Sequence, residues 1–216
     1  MLPEVTIHNA VSIDGRLTGF MPDMGLYYEL AGAVGENATL CGADTILAGL
    51  EEFGDDAGSF SEDLPPGRRA SLPLLVVTDS RGRVRSWEQF LRMPFWRSGV
   101  SLCAESTPPE HLDYLDGVGI EVIRAGEVRV DLRAALEELS SRFGVERVRV
   151  DSGGSLNGAL LKEGLVSEVS ALVSPLVVGD SQVPFFYGAF RQPVEMELLS
   201  AEELRGDHVL LRYRIT

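Results

Sequence analysis

Short apolar runs alternate with helix-like segments along most of this chain, and this alternation constrains its fold more than any other feature. Leu74–Thr78 and Val100–Ala104 are nearly continuous apolar runs, which are typical of strands buried on both faces of a sheet. Asp131–Phe143 carries apolar residues at helical spacing, with Asp131 as candidate N-cap and Gly144 at its end. The alternation predicts an α/β fold with a mainly parallel sheet flanked by helices.

The other predicted elements extend this pattern in both directions. From about residue 168 onward, strands follow one another without long helices, which predicts an antiparallel edge and therefore a mixed sheet. Further strands are predicted at Val5–Ile13, Ala38–Cys41, Ile120–Arg124, Val145–Val150, Glu168–Val173 and Val209–Ile215. Further helices are predicted at Leu26–Val34 with Gly35 as C-cap, within 42–50, from an N-cap at Thr107 to Leu115, and at Leu156–Glu163.

Length and charge set limits on domains and partners. The chain has 216 residues, and a loop-like segment at 51–71 is read as functional or disordered rather than as a linker, so we expect one domain over 1–216. The net charge of −14 argues against nucleic acid or an anionic membrane as the general partner. A small anionic ligand in a locally positive pocket remains compatible with that charge.

Targeting and metal signals are weak. The N-terminus lacks a basic and apolar leader, and no apolar run reaches 18 residues, so we expect a cytoplasmic protein. Cys41 and Cys103 lie in short apolar runs and are expected to be buried, inert thiols. Because the Cys and His residues show no ligand spacing, we expect no metal site.

Four polar or glycine-containing turns follow four of the predicted strands. They are Ser12–Arg16, Gly42–Thr45, Thr78–Arg83 and Asp151–Gly154. Glycine lets backbone N–H groups approach an anion, and a helix N-terminus favours negative charge. In parallel sheets, ligands bind at the carboxyl ends of strands. Together these turns predict a nucleotide cofactor across one sheet edge, although each alone could be an ordinary turn.

Two of these turns suggest phosphate groups in particular. The glycines of Asp151–Gly154 would suit a diphosphate, and Arg81 with Arg83 would suit a phosphate such as the 2′-phosphate of a dinucleotide. No G-x-G-x-x-G fingerprint and no G-x-S-x-G nucleophile motif is present. A reaction in which a cofactor performs the difficult chemistry fits this shortage of recognisable acids and nucleophiles.

Several motifs resemble one family in the right order, from about Val5 to Gly179. Asn9–Leu17 is similar to the opening of the riboflavin-biosynthesis pyrimidine reductases, which form the reductase domain of a bifunctional deaminase-reductase and have a dihydrofolate-reductase-like fold. The further motifs that resemble this family are Gly42–Leu47, Leu75–Arg81, Asp151–Asn157, Gly164–Val169 and Ser174–Gly179. The zinc signature of the deaminase half is absent.

The resemblance implies an NADPH-dependent reductase, usually a homodimer, that converts the ribosylamino chain of a phosphorylated pyrimidine into a ribitylamino chain. It implies catalytic roles for Asp14, Arg16 and Asp151, with Asp14 or water as proton source and Arg16 facing the substrate. The cofactor-binding residues that it implies, together with the turns, are Gly42, Thr45, Thr78, Asp79, Ser80, Arg81, Ser152, Gly153, Gly154, Ser155 and Leu156.

The cofactor half of the family pattern is kept better than the substrate half. Asp151 stands where the family has Glu, and Ser155 replaces its Thr. The segment 22–37 lacks the family's basic residues, and Glu51–Asp56 replaces an Asp-Pro-x-Leu-Thr-like segment. Three hypotheses therefore stay open: a pyrimidine reductase, a dihydrofolate- or pterin-type reductase of the same fold, and a non-catalytic NADP(H)-binding dimer.

Overall fold

The computed structural model describes residues 1–53, 68–188, 190 and 192–216. The strands are β1 Glu4–Ser12, β2 Ala38–Gly42, β3 Leu74–Thr78, β4 Gly99–Cys103, β5 Glu121–Arg124, β6 Arg147–Val150, β7 Glu168–Ser174, β8 Met196–Leu204 and β9 His208–Ile215. The helices are α1 Met24–Val34, α2 Ala43–Phe53, α3 Trp87–Arg92, α4 Pro109–Gly117, α5 Leu132–Phe143 and α6 Gly154–Lys162, with short 3₁₀ turns at Arg68–Ser71 and Arg205–Asp207. The chain groups into two compact units, of which the first comprises 1–3 and 36–146 and the second 4–35 and 147–216.

The first unit is built on parallel strands in the order β5-β4-β3-β2. Leu75 and Val77 of β3 are fully buried, as expected for a strand covered on both faces. They pack in one apolar core with Trp87 of α3 and Leu115 of α4. Gly42 pairs with Thr78, so the carboxyl ends of β2 and β3 lie side by side.

The second unit contains five strands in the order β6-β1-β7-β9-β8. The β6-β1 and β1-β7 pairs are parallel, whereas β9 pairs antiparallel with both β7 and β8. Leu26 and Tyr27 of α1 pack with Leu172 of β7 in a second apolar cluster. The expected α/β fold with mainly parallel strands and an antiparallel C-terminal edge is confirmed.

Local signals located several elements well. The Asp131 carboxylate caps α5 by accepting a hydrogen bond from the Ala134 amide at 3.0 Å, and Gly144 ends the helix in the left-handed region with φ 64°. Gly35 ends α1 in the same way. Cys41 and Cys103 are buried, as predicted, and form no disulfide within the described residues.

Other local expectations were wrong. Thr107 does not cap α4, because its hydroxyl donates to the Ser80 carbonyl and accepts from the Ala104 amide. The helix α6 begins at Gly154, two residues before the prediction. Of the predicted 51–71 loop, residues 51–53 end α2 and 68–71 form a 3₁₀ turn, while 54–67 lie outside the described residues. Strand β8 was not predicted.

Candidate active site

The turn after β3 is fixed from inside by one carboxylate. Asp79 is 1% exposed, and its Oδ2 accepts the backbone N–H groups of Arg83 at 2.6 Å and Val84 at 2.7 Å. Gly82 has φ 66°, a left-handed conformation that favours glycine. We call residues 79–84 the arginine turn. Asp79 therefore shapes this turn, and the predicted contact of its own carboxylate with a cofactor stays a prediction.

The two arginines of the arginine turn have different surroundings. Arg83 pairs with Asp44 in the first turn of α2, at 2.7 Å between Nη2 and Oδ1. Arg81 is exposed and makes no hydrogen bond or ion pair within the described residues. The guanidinium of Arg81 is thus the one that an incoming anion could engage without breaking an existing pair.

Other residues predicted to bind cofactor lie next to this turn at the carboxyl ends of β2 and β3. Gly42 and Thr78 are register partners, and Thr78 donates its hydroxyl to the Cys41 carbonyl at 3.4 Å. Thr45 lies in the first turn of α2, where the positive end of the helix dipole favours an anion. The Ser80 hydroxyl accepts from the Val130 amide at 3.0 Å. In the first unit, the predicted residues do come together at one edge.

In the second unit, the Asp14 carboxylate is held by hydrogen bonds from three other residues. Its carboxylate accepts the Ser12 hydroxyl at 2.7 Å and the amides of Val178 at 3.0 Å and Gly179 at 2.8 Å. These hydrogen bonds, the Val178 amide first, hold the pKa of Asp14 well below its ordinary range. The carboxylate is therefore ionised at neutral pH, and the role of Asp14 in supplying a proton stays a prediction.

Arg16 lies beside Asp14 and is held there by the closing segment, which we define as residues 176–187. Its guanidinium donates from Nη1 to the Gln182 carbonyl at 3.4 Å, and its Nε lies 3.7 Å from Oδ2 of Asp14. The buried Nε has no hydrogen-bond partner within the described residues. A bound ligand that offered an oxygen here would satisfy this donor.

Gly154, at the start of α6, packs closely against the closing segment. A Cβ built on Gly154 would collide with the Pro184 carbonyl oxygen, and the Gly154 carbonyl accepts from the Tyr187 amide at 2.9 Å. The space beside Gly154 is therefore filled by the chain's own closing segment, and a contact of Gly154 with a diphosphate stays a prediction. Gly153 is the N-cap, so the first turn of α6 has no side-chain cap.

The other residues predicted around that turn divide by exposure. Ser152 is 4% exposed, and its carbonyl accepts from Nδ2 of Asn9 at 3.1 Å. Ser155 is exposed and Leu156 is half-buried. Ser155 is thus the exposed residue at this helix start, whereas Gly153 is half-buried and Ser152 is buried.

A pair of buried amides, which the sequence did not reveal as functional, ties this helix start to its surroundings. Nδ2 of Asn157 donates to Oδ1 of Asn9 at 2.9 Å and to the Phe185 carbonyl at 3.1 Å. Asn157 is fully buried and Asn9 is 8% exposed. Since buried amides need partners, this network fixes β1, α6 and the closing segment together.

Asp151 lies at the rim of a buried polar cluster. Its Oδ2 is 3.0 Å from Nη1 of Arg149, and their side chains are 30% and 7% exposed. His8 is 1% exposed, bonds Ser170 through Nδ1 at 2.9 Å and stacks on Tyr27 with ring centroids 4.8 Å apart. Burial, and then the Arg149 charge, lower the pKa of His8 to about 4. Of these side chains, that of Asp151 is the most exposed to solvent.

No three His, Cys, Asp or Glu side chains in the part of the chain that the structure describes are grouped to hold a metal ion. Among the same residues, no helix is both long and apolar enough to cross a membrane.

Comparisons with known proteins agree with this architecture. The family model of the RibD C-terminal domain matches residues 3–210. The 2,5-diamino-6-ribosylamino-4(3H)-pyrimidinone 5′-phosphate reductase of Methanothermobacter thermautotrophicus is 32% identical over 189 residues, which cover 83% of this chain and 81% of that protein.

Solved structures give the same result for the fold. Acinetobacter baumannii RibD superposes with a TM-score of 0.75 at 23% identity, and the match covers all of this chain and 58% of that one. Enterococcus faecalis dihydrofolate reductase superposes with a TM-score of 0.51 at 10% identity, over all of this chain and 99% of that one. The dihydrofolate-reductase-like fold expected from the sequence is confirmed.

Proposed function

Because the chain belongs to the RibD C-terminal domain family, we propose that it is an NADPH-dependent reductase of 2,5-diamino-6-ribosylamino-4(3H)-pyrimidinone 5′-phosphate. The observation that carries this proposal is the 32% identity over 81% of a reductase of that name. NADPH, when bound, supplies a hydride that reduces C1′ of the sugar to the ribitylamino level. The hydrogen bonds that lower the pKa of Asp14 favour water over Asp14 as the source of the accompanying proton.

The arginine turn supports the NADPH part of the proposal. Arg81 is an exposed guanidinium without a partner among the described residues, and it follows a strand end next to the N-terminus of α2. Guanidinium groups bind phosphate through strong charge-assisted hydrogen bonds. We therefore assign the extra phosphate of NADPH to Arg81, with Gly42, Thr45, Thr78 and Ser80 as further contacts.

In the second unit, the residues divide into those that touch a ligand and those that hold the site. Ser155 and Leu156 would offer N–H groups in the first turn of α6 to an anion, next to Gly153 at the N-cap. Ser152 and Gly154 hold this start in place through Asn9 and the closing segment. Asp79 has the same positioning role in the first unit.

Arg16 and Asp151 are the proposed substrate residues. The Nε of Arg16 is a buried donor without a hydrogen-bond partner within the described residues, so it suits a substrate oxygen. The Asp151 carboxylate, 30% exposed and paired with Arg149, can accept a hydrogen bond from a substrate hydroxyl or amino group. We also propose a cytoplasmic homodimer, which light scattering would show as twice the mass of one chain.

Replacing Arg81 by Gln tests the cofactor assignment. We expect Arg81→Gln to weaken NADPH binding about tenfold, as expected for the loss of one hydrogen bond to a charged group. Affinity for NADH, which lacks the extra phosphate, should stay within about twofold. Calorimetric titration with both nucleotides measures this, and Arg92→Gln on α3 is the matched control. Equal losses for both nucleotides, or no loss, would remove Arg81 from the phosphate site.

A further inference from the structure

A buried histidine and a buried carboxylate meet beneath the arginine turn. His111, in the first turns of α4, is fully buried, and Asp79 is 1% exposed. The His111 Nε2 lies 3.7 Å from Oδ2 of Asp79. This Oδ2 is the atom that accepts the amides of Arg83 and Val84, so the imidazole stands directly behind the group that shapes the turn.

The turn also rests on the imidazole ring itself. A Cβ built on Gly82 would lie 2.7 Å from Cγ of His111, closer than real Cβ contacts allow. Only a glycine lets the backbone of the turn approach the ring in this way. The position of the turn backbone, and with it the origin of the Arg81 and Arg83 side chains, therefore depends on both Asp79 and His111.

Several polar atoms of His111 and Asp79 lack hydrogen-bond partners within the described residues. Nδ1 and Nε2 of His111 and Oδ1 of Asp79 are buried without a hydrogen-bond partner within the described residues. Such atoms cost free energy, and an apolar side chain of similar size would fill the same space without that cost. What an apolar side chain would lack is a ring nitrogen 3.7 Å from the Asp79 carboxylate.

We propose that His111 is a positioning residue for cofactor binding, because it holds the Asp79 carboxylate and through it the arginine turn. This inference rests on the proposed function, in which Arg81 binds the extra phosphate of NADPH. His111 itself touches neither cofactor nor substrate in this account. The opposing interpretation is that His111 only fills space, packed against Tyr114 with ring centroids 5.9 Å apart.

Two substitutions at this position separate electrostatics from shape. His111→Leu removes every polar atom of the side chain, whereas His111→Gln keeps an amide nitrogen near the place of Nε2, from which it can donate to Asp79. In the cofactor-free protein, we expect hydrogen exchange of the Arg83 and Val84 amides to become about tenfold faster in His111→Leu, because their acceptor is less well held. The Gln variant should stay within about twofold of wild type.

The same variants are then titrated with NADPH and NADH. We expect His111→Leu to lower the preference for NADPH about fivefold, and His111→Gln to restore most of it. If His111→Leu does not fold, His111→Phe, which keeps a ring without donors, replaces it. Wild-type exchange and preference in the folded Leu or Phe variant would overturn the inference, and so would equal losses in the Leu and Gln variants.

The Arg81→Gln variant distinguishes this inference from the proposed function. If Arg81→Gln loses the NADPH preference and His111→Leu keeps it, the positioning role fails and the cofactor assignment stands. If Arg81→Gln keeps the preference, the arginine turn does not bind the extra phosphate, and both are overturned.

Discussion

Acidification from pH 7 to pH 4 is expected to lower the free energy of unfolding by roughly 3 kcal/mol through His8 alone. Burial lowers the pKa of His8 from 6.5 to about 4 in the folded protein. Between these two values, the unfolded chain binds a proton that the folded chain does not. The free energy of unfolding therefore falls as the pH is lowered through this window, and the His8 contribution levels off about one pH unit below 4.

Urea unfolding at several pH values measures this effect. His8→Asn keeps an amide nitrogen near the place of Nδ1, which bonds Ser170 in the wild type, and removes the titration. Its stability should vary less between pH 6.5 and 4 than that of the wild type, while carboxylates contribute equally to both. Because the pKa of Asp14 is lowered, protonation of its carboxylate destabilises the fold only at more acidic pH. His208→Asn is the control, and identical pH profiles for His8→Asn and wild type would refute the assignment.

Gly158→Ala should lower the free energy of unfolding by about 2 kcal/mol, which is the second large effect that we expect. A Cβ on Gly158 would collide with the Tyr187 carbonyl oxygen and lie 2.9 Å from its carbonyl carbon. Because backbone cannot swing aside like a side chain, the closing segment must move away from α6. That movement strains the bonds from Asn157 to the Phe185 carbonyl and from Tyr187 to Gly154. The higher helix propensity of alanine offsets only up to about 1 kcal/mol.

Gly32→Ala in α1 is the matched control, because this helical glycine is exposed and a Cβ there meets nothing within 4 Å. It should leave stability unchanged or raise it by up to about 1 kcal/mol. Thermal or urea unfolding of both variants is the measurement. A Gly158→Ala protein as stable as Gly32→Ala would show that the closing segment does not pack on α6 as described.

Most of the fold was predictable because its signals are local. The apolar run Leu74–Thr78 is a strand at the predicted residues, and Asp131 and Gly144 bound α5 as their cap chemistry requires. Strand β8 escaped prediction because its side chains are mostly exposed, so its pattern carries no buried face. The strand is instead held by its antiparallel backbone pairing with β9, which its own sequence does not indicate.

The candidate site was predictable where chemistry follows a strand end in the sequence. The sequence predicts Arg81 and its turn as a phosphate site in this way, and that assignment stays a prediction. The environment of His8 was not predicted, because its partner Ser170 lies 162 residues away and no residue near His8 in the sequence indicates that hydrogen bond. The contacts of Asp14 were not predicted for the same reason, since the amides that lower its pKa come from residues 178 and 179. The packing of Gly154 was not predicted either, because the closing segment that contacts it is distant in sequence.

The central claim is reduction of the ribosylamino pyrimidine by NADPH, and transfer of a labelled hydride tests it most directly. The purified protein is incubated with NADPH deuterated at C4 and with 2,5-diamino-6-ribosylamino-4(3H)-pyrimidinone 5′-phosphate, its deaminated form, or dihydrofolate, and each product is examined by mass spectrometry. We expect the diamino compound to gain one deuterium on carbon and one proton, giving the ribitylamino product. Label in dihydrofolate alone, in the deaminated form alone, or in no product despite NADPH binding would contradict the proposed activity.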